Sequence, residues 1–240
     1  MEATTNFWAW HDVDGTGVAS ELPLVTFQNG LSAEDIALRR FTHVYAASIR
    51  IPARYTVTGE VVVRGGPNIG VVALGRYPHG ADETASAIVS DLRRAGYLAE
   101  VRSDTLRWKA AKLKHNVTNA VELFAGTQEA RKKAATDLAD EAHAVLVAAG
   151  YDPAAPSEST IDISSWQAAL ADGLEPGQQS TWQSFARGAS SEVGYLNGEI
   201  VRLGRLHGVA TPVNAAFQKA AARLARDGGK PGTVDIAAIR

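Results

Sequence analysis

The sequence changes character at Ser103. Before it, short apolar runs alternate with helical patterns and turn residues; after it, the patterned stretches have helical period. A chain of this kind must build two layers of different type. The first part has to cover strands with helices, and the second has to pack helices on one another. The expected fold class is α/β plus all-α, with the boundary at Ser103.

The individual elements follow from local signals. Residues 4–12 read as the end of a helix, and Asp14-Gly15-Thr16-Gly17 as a turn. Leu22 to Phe27 is a mostly continuous apolar run, the pattern of a strand covered on both faces. Ser32 then acts as an N-cap for a helix to Phe41, with Glu34 and Asp35 in its first turn. Strands are expected over Val44 to Ile51, Glu60 to Val63, Gly70 to Leu74 and Ala99 to Arg102. The middle two are divided by a turn at Gly65-Gly66-Pro67-Asn68. Asp82 to Ala95 reads as a helix stopped by Gly96.

Beyond Asp104 the spacing predicts one long helix from Thr105 to Phe124 and a second from Glu129 to Ala149, closed by Gly150. Tyr151 to Glu158 is a connection, Ser164 to Leu170 a helical turn, and Pro176 to Gln179 a loop. Thr181 to Val209 gives a short helix and a longer one, broken near Gly188. Val213 to Asp227 is the last helix, and the tail after Gly228 is expected to be loose.

Composition narrows the function classes. The net charge is −2 and no Lys/Arg block stands out, which argues against nucleic acid or an anionic membrane as partner. There is no cysteine, so disulfides, thiolate metal sites and Cys nucleophiles are excluded. Met1 to Thr5 has neither a basic segment nor an apolar core, and no apolar run is long enough to span a bilayer. A cytoplasmic location is the expectation. His11, His43, His79, His115, His143 and His207 are scattered, so no metal site is expected; His115 adjoins Asn116. Gly15-Thr16-Gly17 lacks the third glycine and preceding strand of a dinucleotide fingerprint.

Two clusters carry candidate chemistry. On a helix, Lys112, Asn116 and Asn119 fall at i, i+4 and i+7, on one face. Spacing alone fits a solvated polar stripe as well as a functional one. Two features favour function: Val117, Ala120, Val121 and Phe124 border the stripe with apolar residues, and asparagine is a poor helix former. A lysine so placed can protonate a carbonyl oxygen as hydride reaches the carbon, and can stabilise the alkoxide charge. Glu192 precedes the apolar stripe Val193, Leu196, Ile200, Leu203; it reads equally as an acid in a helix's first turn. Ser180 reads equally as an N-cap. Asn29 follows the first strand, where ligands bind in open α/β sheets, but Asn-Gly is also a common turn.

Taken together, these residues resemble the ketopantoate reductase (2-dehydropantoate 2-reductase) family. The resemblance runs through Gln28-Asn29-Gly30, Gly75-Arg76-Tyr77-Pro78, and Trp108 through Lys112-Leu113 to Asn116 and Asn119-Ala120. It is closest from Ser180 to Asn214, including Tyr195-Leu196-Asn197-Gly198 and Thr211-Pro212-Val213-Asn214. Gly194 departs from it, since an acidic residue is usual before the tyrosine.

The resemblance implies NADPH-dependent reduction of a 2-oxo acid, with 2-dehydropantoate giving pantoate in pantothenate biosynthesis. It places the catalytic pair on Lys112 and Glu192, substrate binding on Asn116, Asn119 and Ser180, and nicotinamide positioning on Asn29. It implies a partial Rossmann nucleotide-binding domain at 1–103 and a helical substrate-binding domain at 104–240, like the C-terminal domain of 6-phosphogluconate dehydrogenase. A homodimer is expected. Family members open with a strand, a Gly-rich turn and a helix that holds the pyrophosphate; roughly 90 residues of that first half are not in this sequence. The chain by itself is therefore expected to bind NADPH weakly. The alternatives are a non-catalytic binding or oligomerisation remnant, and a reductase of another 2-oxo acid.

Overall fold

A computed structural model describes residues 19–164, 166–168 and 178–239. The helix end at 4–12 and the turn at Asp14-Gly15-Thr16-Gly17 lie outside the described residues. The strands are β1 (Leu24–Thr26), β2 (Val44–Arg50), β3 (Ala53–Val57), β4 (Glu60–Val63), β5 (Gly65–Gly66), β6 (Val71–Arg76), β7 (Leu98–Val101) and β8 (Gln167–Ala168). The helices are α1 (Ala33–Ala37), α2 (Glu83–Arg94), α3 (Thr105–Asn116), α4 (Gln128–Ala148), α5 (Ser180–Ala186), α6 (Asn197–His207) and α7 (Pro212–Arg226).

Four strands form a mixed sheet in the order β1-β2-β6-β7. β1 runs parallel to β2, β2 antiparallel to β6, and β6 parallel to β7. The two central strands carry the most continuous apolar runs: Val44 to Ala47 and Val71 to Leu74 are buried. Asp82 caps α2 by accepting a hydrogen bond from the Ala85 amide at 2.8 Å, and Ala85 and Val89 pack on the sheet. α2 gives way to a turn at Gly96, whose φ of +89° suits glycine.

The first strand departs from expectation. It lies at the sheet edge, and only Thr26 of its three residues is buried. Leu22 and Phe27, read as part of a doubly covered strand, are exposed. The central position is taken instead by β2, which has a longer apolar run. The hairpin also moves. Glu60–Val63 pairs with Ala53–Val57, a strand the sequence analysis did not identify, because Pro52 and Arg54 interrupt its apolar pattern. Of the helical turn expected over Ser164 to Leu170, Gln167–Ala168 is a strand paired with Gly65–Gly66, and positions 165, 169 and 170 lie outside the described residues.

The helical part has its own core, centred on Leu113, Phe124, Leu146, Ile200 and Phe217. Phe124 meets Phe217 edge to face, with centroids 5.6 Å apart. The single helix expected over 105–124 is two elements. α3 stops at Asn116, and a 3-10 helix continues from Val117 to Leu123. Side chains compete here for the main-chain carbonyls. Thr118 Oγ1 donates to the His115 carbonyl at 2.8 Å, and buried Asn197 Nδ2 donates to the Val117 carbonyl at 3.0 Å. The helix expected to begin at Ser32 is only five residues long and ends at Ala37.

The tail after Gly228 is docked rather than loose. The Gly232 amide donates to the Leu123 carbonyl at 2.9 Å, and the Ile236 amide to the Ala125 carbonyl at 2.8 Å. Ile236 is buried in the helical core. No helix among the described residues is long and apolar enough to cross a membrane.

Candidate active site

Three chain segments meet at the edge of the sheet where β1 and β2 both end. Because these strands are parallel, the loop after Thr26 and the residues Ile49 and Arg50 lie at the same edge. The third segment is a 3-10 turn, Glu192–Tyr195, in the helical part. Ser191 Oγ caps this turn by accepting a hydrogen bond from the Val193 amide at 3.1 Å.

Asn29 joins the first segment to the third. Its Nδ2 donates to Glu192 Oε2 at 3.4 Å. Its Oδ1 is buried and has no hydrogen-bond partner among the described residues. Gly30 follows with φ +84°, and a Cβ there would stand 2.8 Å from the Tyr195 carbonyl oxygen. The Asn-Gly pair is thus more than a turn signal, because the backbone passes too close to Tyr195 for a side chain.

α3 supplies the second set. Lys112 is partly buried and donates from Nζ to the Ile49 carbonyl. Its pKa is lowered to about 8, chiefly by burial and then by the positive charge of Lys109; Glu192 opposes this shift and Arg50 adds to it. Glu192 favours the ammonium form, but burial outweighs it.

Asn116 and Asn119 are both buried, so they are not a solvated stripe. Asn119 sits on the 3-10 helix rather than α3, and its Oδ1 has no partner among the described residues. Glu192 itself is exposed and stands in the first turn of a short 3-10 helix, Glu192–Tyr195. The stripe behind it (Val193, Leu196, Ile200 and Leu203) is buried as expected.

Ser180 lies apart from this group. It is exposed, it is the first residue of α5, and Gln179 occupies the N-cap position. No described hydrogen bond joins its side chain to Lys112, Asn29 or Glu192. Gly194 is exposed, with open space where a Cβ would go, so the departure from the family pattern there opens no gap in the core.

Several residues at this edge escaped the sequence analysis. Glu34, read as a first-turn acid, is fully buried and accepts from Lys109 Nζ and Thr26 Oγ1, both at 2.5 Å. Ser32, read as an N-cap, makes no capping bond and donates instead to Glu199 Oε2 at 3.2 Å. In the helical part, Asn197 and Asn214 form a buried pair at 3.0 Å. Glu141 then accepts from the Val213 and Asn214 amides, at 2.9 and 2.8 Å, and so satisfies the N-terminus of α7. No spacing signal links residues this far apart in the chain. Among the described residues, no cluster of three or more His, Asp or Glu could hold a metal.

A Rossmann-like mixed sheet joined to a helical domain is the architecture of ketopantoate reductase structures. Residues 115–225 match the family described as ketopantoate reductase PanE/ApbA C terminal.

The fold likeness extends to the sheet. The PanE/ApbA family ketopantoate reductase from Ralstonia eutropha JMP134 superposes with a TM-score of 0.66 and 21% identity, over 88% of this chain and 70% of that one. The 2-dehydropantoate 2-reductase from Methylococcus capsulatus gives 0.67 and 21%, over 86% and 71%. A D-mandelate dehydrogenase in ternary complex with NADH and anilino(oxo)acetate gives 0.67 and 20%, over 86% and 68%.

Proposed function

We propose that this chain carries the catalytic machinery for reducing a 2-oxo acid to a 2-hydroxy acid, with 2-dehydropantoate to pantoate as the reaction and NADPH as cofactor. The observation that carries the reading is that Asn29 bonds Glu192, while Lys112, which feels the Glu192 charge, is bound to the Ile49 carbonyl at the same sheet edge. The residues present fit a nicotinamide: the buried, unpartnered Oδ1 of Asn29 can accept a hydrogen bond from a carboxamide N–H. When bound, NADPH would supply the hydride for the carbonyl carbon.

The chain's own residues do the rest. The Lys112 ammonium gives its proton to the carbonyl oxygen, forming the O–H bond, and the resulting amine regains a proton from solvent. A pKa of about 8 leaves the group mostly protonated near neutral pH and makes it a better acid than an ordinary lysine. The positive charges of Lys112 and Arg50 suit an anionic substrate. Glu192 orients Asn29 and biases Lys112 towards its charged form. Asn116 and Asn119, both buried amides, hold the substrate. Ser180 is assigned to substrate binding on the family resemblance alone, and so is a homodimer.

The second reading keeps the chemistry and changes the substrate. It is favoured by the fold likeness to D-mandelate dehydrogenase, whose bound ligand is an aromatic 2-oxo acid analogue.

The test follows NADPH and NADH oxidation, at cofactor concentrations high enough to offset the weak binding expected of this chain, with 2-dehydropantoate and with an aromatic 2-oxo acid, for the protein and for Lys112→Ala. Loss of about 10²–10⁴-fold in turnover with cofactor affinity retained supports the reading. Turnover unchanged in Lys112→Ala refutes it.

A further inference from the structure

We propose that the buried Lys109–Glu34 ion pair is a positioning device that holds the Asn29 loop in register with Lys112; the role given to Asn29 rests on the reading above. The pair is deep, Lys109 being 2% exposed and Glu34 fully buried. It joins the two halves of the fold, since Glu34 lies on α1 beside the sheet and Lys109 on α3.

Lys109 has a second acceptor. Its Nζ donates to Glu34 Oε1 at 2.5 Å and to the main-chain carbonyl of Gln28 at 2.9 Å. Gln28 is the residue before Asn29. Thr26, at the end of β1, completes the arrangement by donating to the same Glu34 oxygen at 2.5 Å.

The geometry ties the loop on both sides. On one side the Gln28 carbonyl is held by Lys109; on the other, Gly30 lies against the Tyr195 carbonyl and Asn29 reaches Glu192. Lys109 and Lys112 are three residues apart on one helix, so they share a face. The helix that carries the proposed acid therefore also carries the anchor of the loop that would position the nicotinamide. The placement of the Asn29 loop relative to Lys112 is thereby set by one helix rather than by a free loop.

A buried ion pair is a poor device for stability alone. Desolvation of both charges offsets most of their attraction, and apolar replacement of both partners is often neutral or stabilising. An apolar pair would fill the same space, but it could not hold the Gln28 carbonyl.

That difference is the test. In Lys109→Met combined with Glu34→Leu, the thermal midpoint should stay near that of the parent. The Asn29 side-chain amide and Gly30 backbone resonances in ¹⁵N NMR spectra should shift and broaden. Turnover should fall by about tenfold to a hundredfold with little change in KM for the 2-oxo acid. In an Asn29→Ala background, assayed well below the Lys112 pKa so that loss of the Lys109 charge leaves Lys112 protonated, the same pair replacement should cost no further turnover, because the pair then acts through Asn29. Thr26→Val, which removes no charge, should give a smaller effect of the same kind, and it serves if the double variant does not fold. Unchanged Asn29 and Gly30 resonances overturn the proposal, and so do fully additive turnover losses. If Asn29→Ala and Lys112→Ala both leave turnover intact, the reductase reading fails, while the resonances still decide whether the pair anchors the loop.

Discussion

Gly30 and Tyr195 touch through their backbones: a Cβ at position 30 would come within 2.8 Å of the Tyr195 carbonyl oxygen. The contact joins a loop of the sheet to a turn of the helical domain. Gly30→Ala meets two penalties, since φ at this position is +84° and the obstructing atom is main chain. The left-handed conformation alone costs an alanine about 1–2 kcal/mol. The expected result is a thermal midpoint lower by several degrees, read by calorimetry. An unchanged midpoint would show that loop and turn are not packed together.

Glu192→Gln should leave the fold intact and move the pH profile. The Glu192 carboxylate raises the pKa of Lys112 against the stronger lowering by burial. Removing that charge lowers the lysine pKa further. A reduction that needs the ammonium loses rate as pH rises through this pKa, so the basic limb of the profile should move to lower pH. Circular dichroism and the thermal midpoint, measured alongside, should not change, because Glu192 is exposed. A basic limb that stays in place would remove Glu192 from the site.

Lys112 should also mark the pH dependence of stability. Its folded pKa is about 8, below the ordinary value of 10.5. Between these two pH values the unfolded chain binds more protons at this position, so its contribution to stability rises with pH across that window. Below about pH 8 both states are protonated, and the cost of burying the charge is present in full. Lys112→Met lacks this dependence. Denaturant titrations from pH 7 to pH 10 should therefore show its advantage over the parent shrinking as pH rises. A constant difference would place the Lys112 ammonium in solvent.

Ile236→Ala tests the docked tail. Ile236 is buried against the helical core, and its amide is bound to the Ala125 carbonyl. Truncating a buried isoleucine to alanine costs about 2–5 kcal/mol. A loss below about 0.5 kcal/mol, typical of surface substitutions, would mean that the tail is loose after all.

Much of the local structure was legible in the sequence because its causes are local. The Asp82 cap and the Gly96 stop of α2, the apolar run of β2, and the Gly150 close of α4 each depend on neighbouring residues. The stripe Val193, Leu196, Ile200, Leu203 pointed inward as its spacing required. Lys112, Asn116 and Asn29 could be singled out because polar residues bordering an apolar face need a reason to be there.

Tertiary structure decided what local pattern could not. It put β1 at the edge, because β2 and β6 had longer apolar runs for the centre. It ended α3 at Asn116, where the side chains of Thr118 and Asn197 take up main-chain carbonyls. It drew Glu34 out of the role of a helix-start acid and into a pair with Lys109, a residue 75 positions away. It left Ser180 exposed, outside the hydrogen bonds that join Asn29 to Glu192. The physical reason is the same in each case. Period and capping act over one or two turns of chain, whereas burial, charge pairing and close backbone approach depend on which distant segments meet, and that is settled only when the sheet and the helical domain pack against each other.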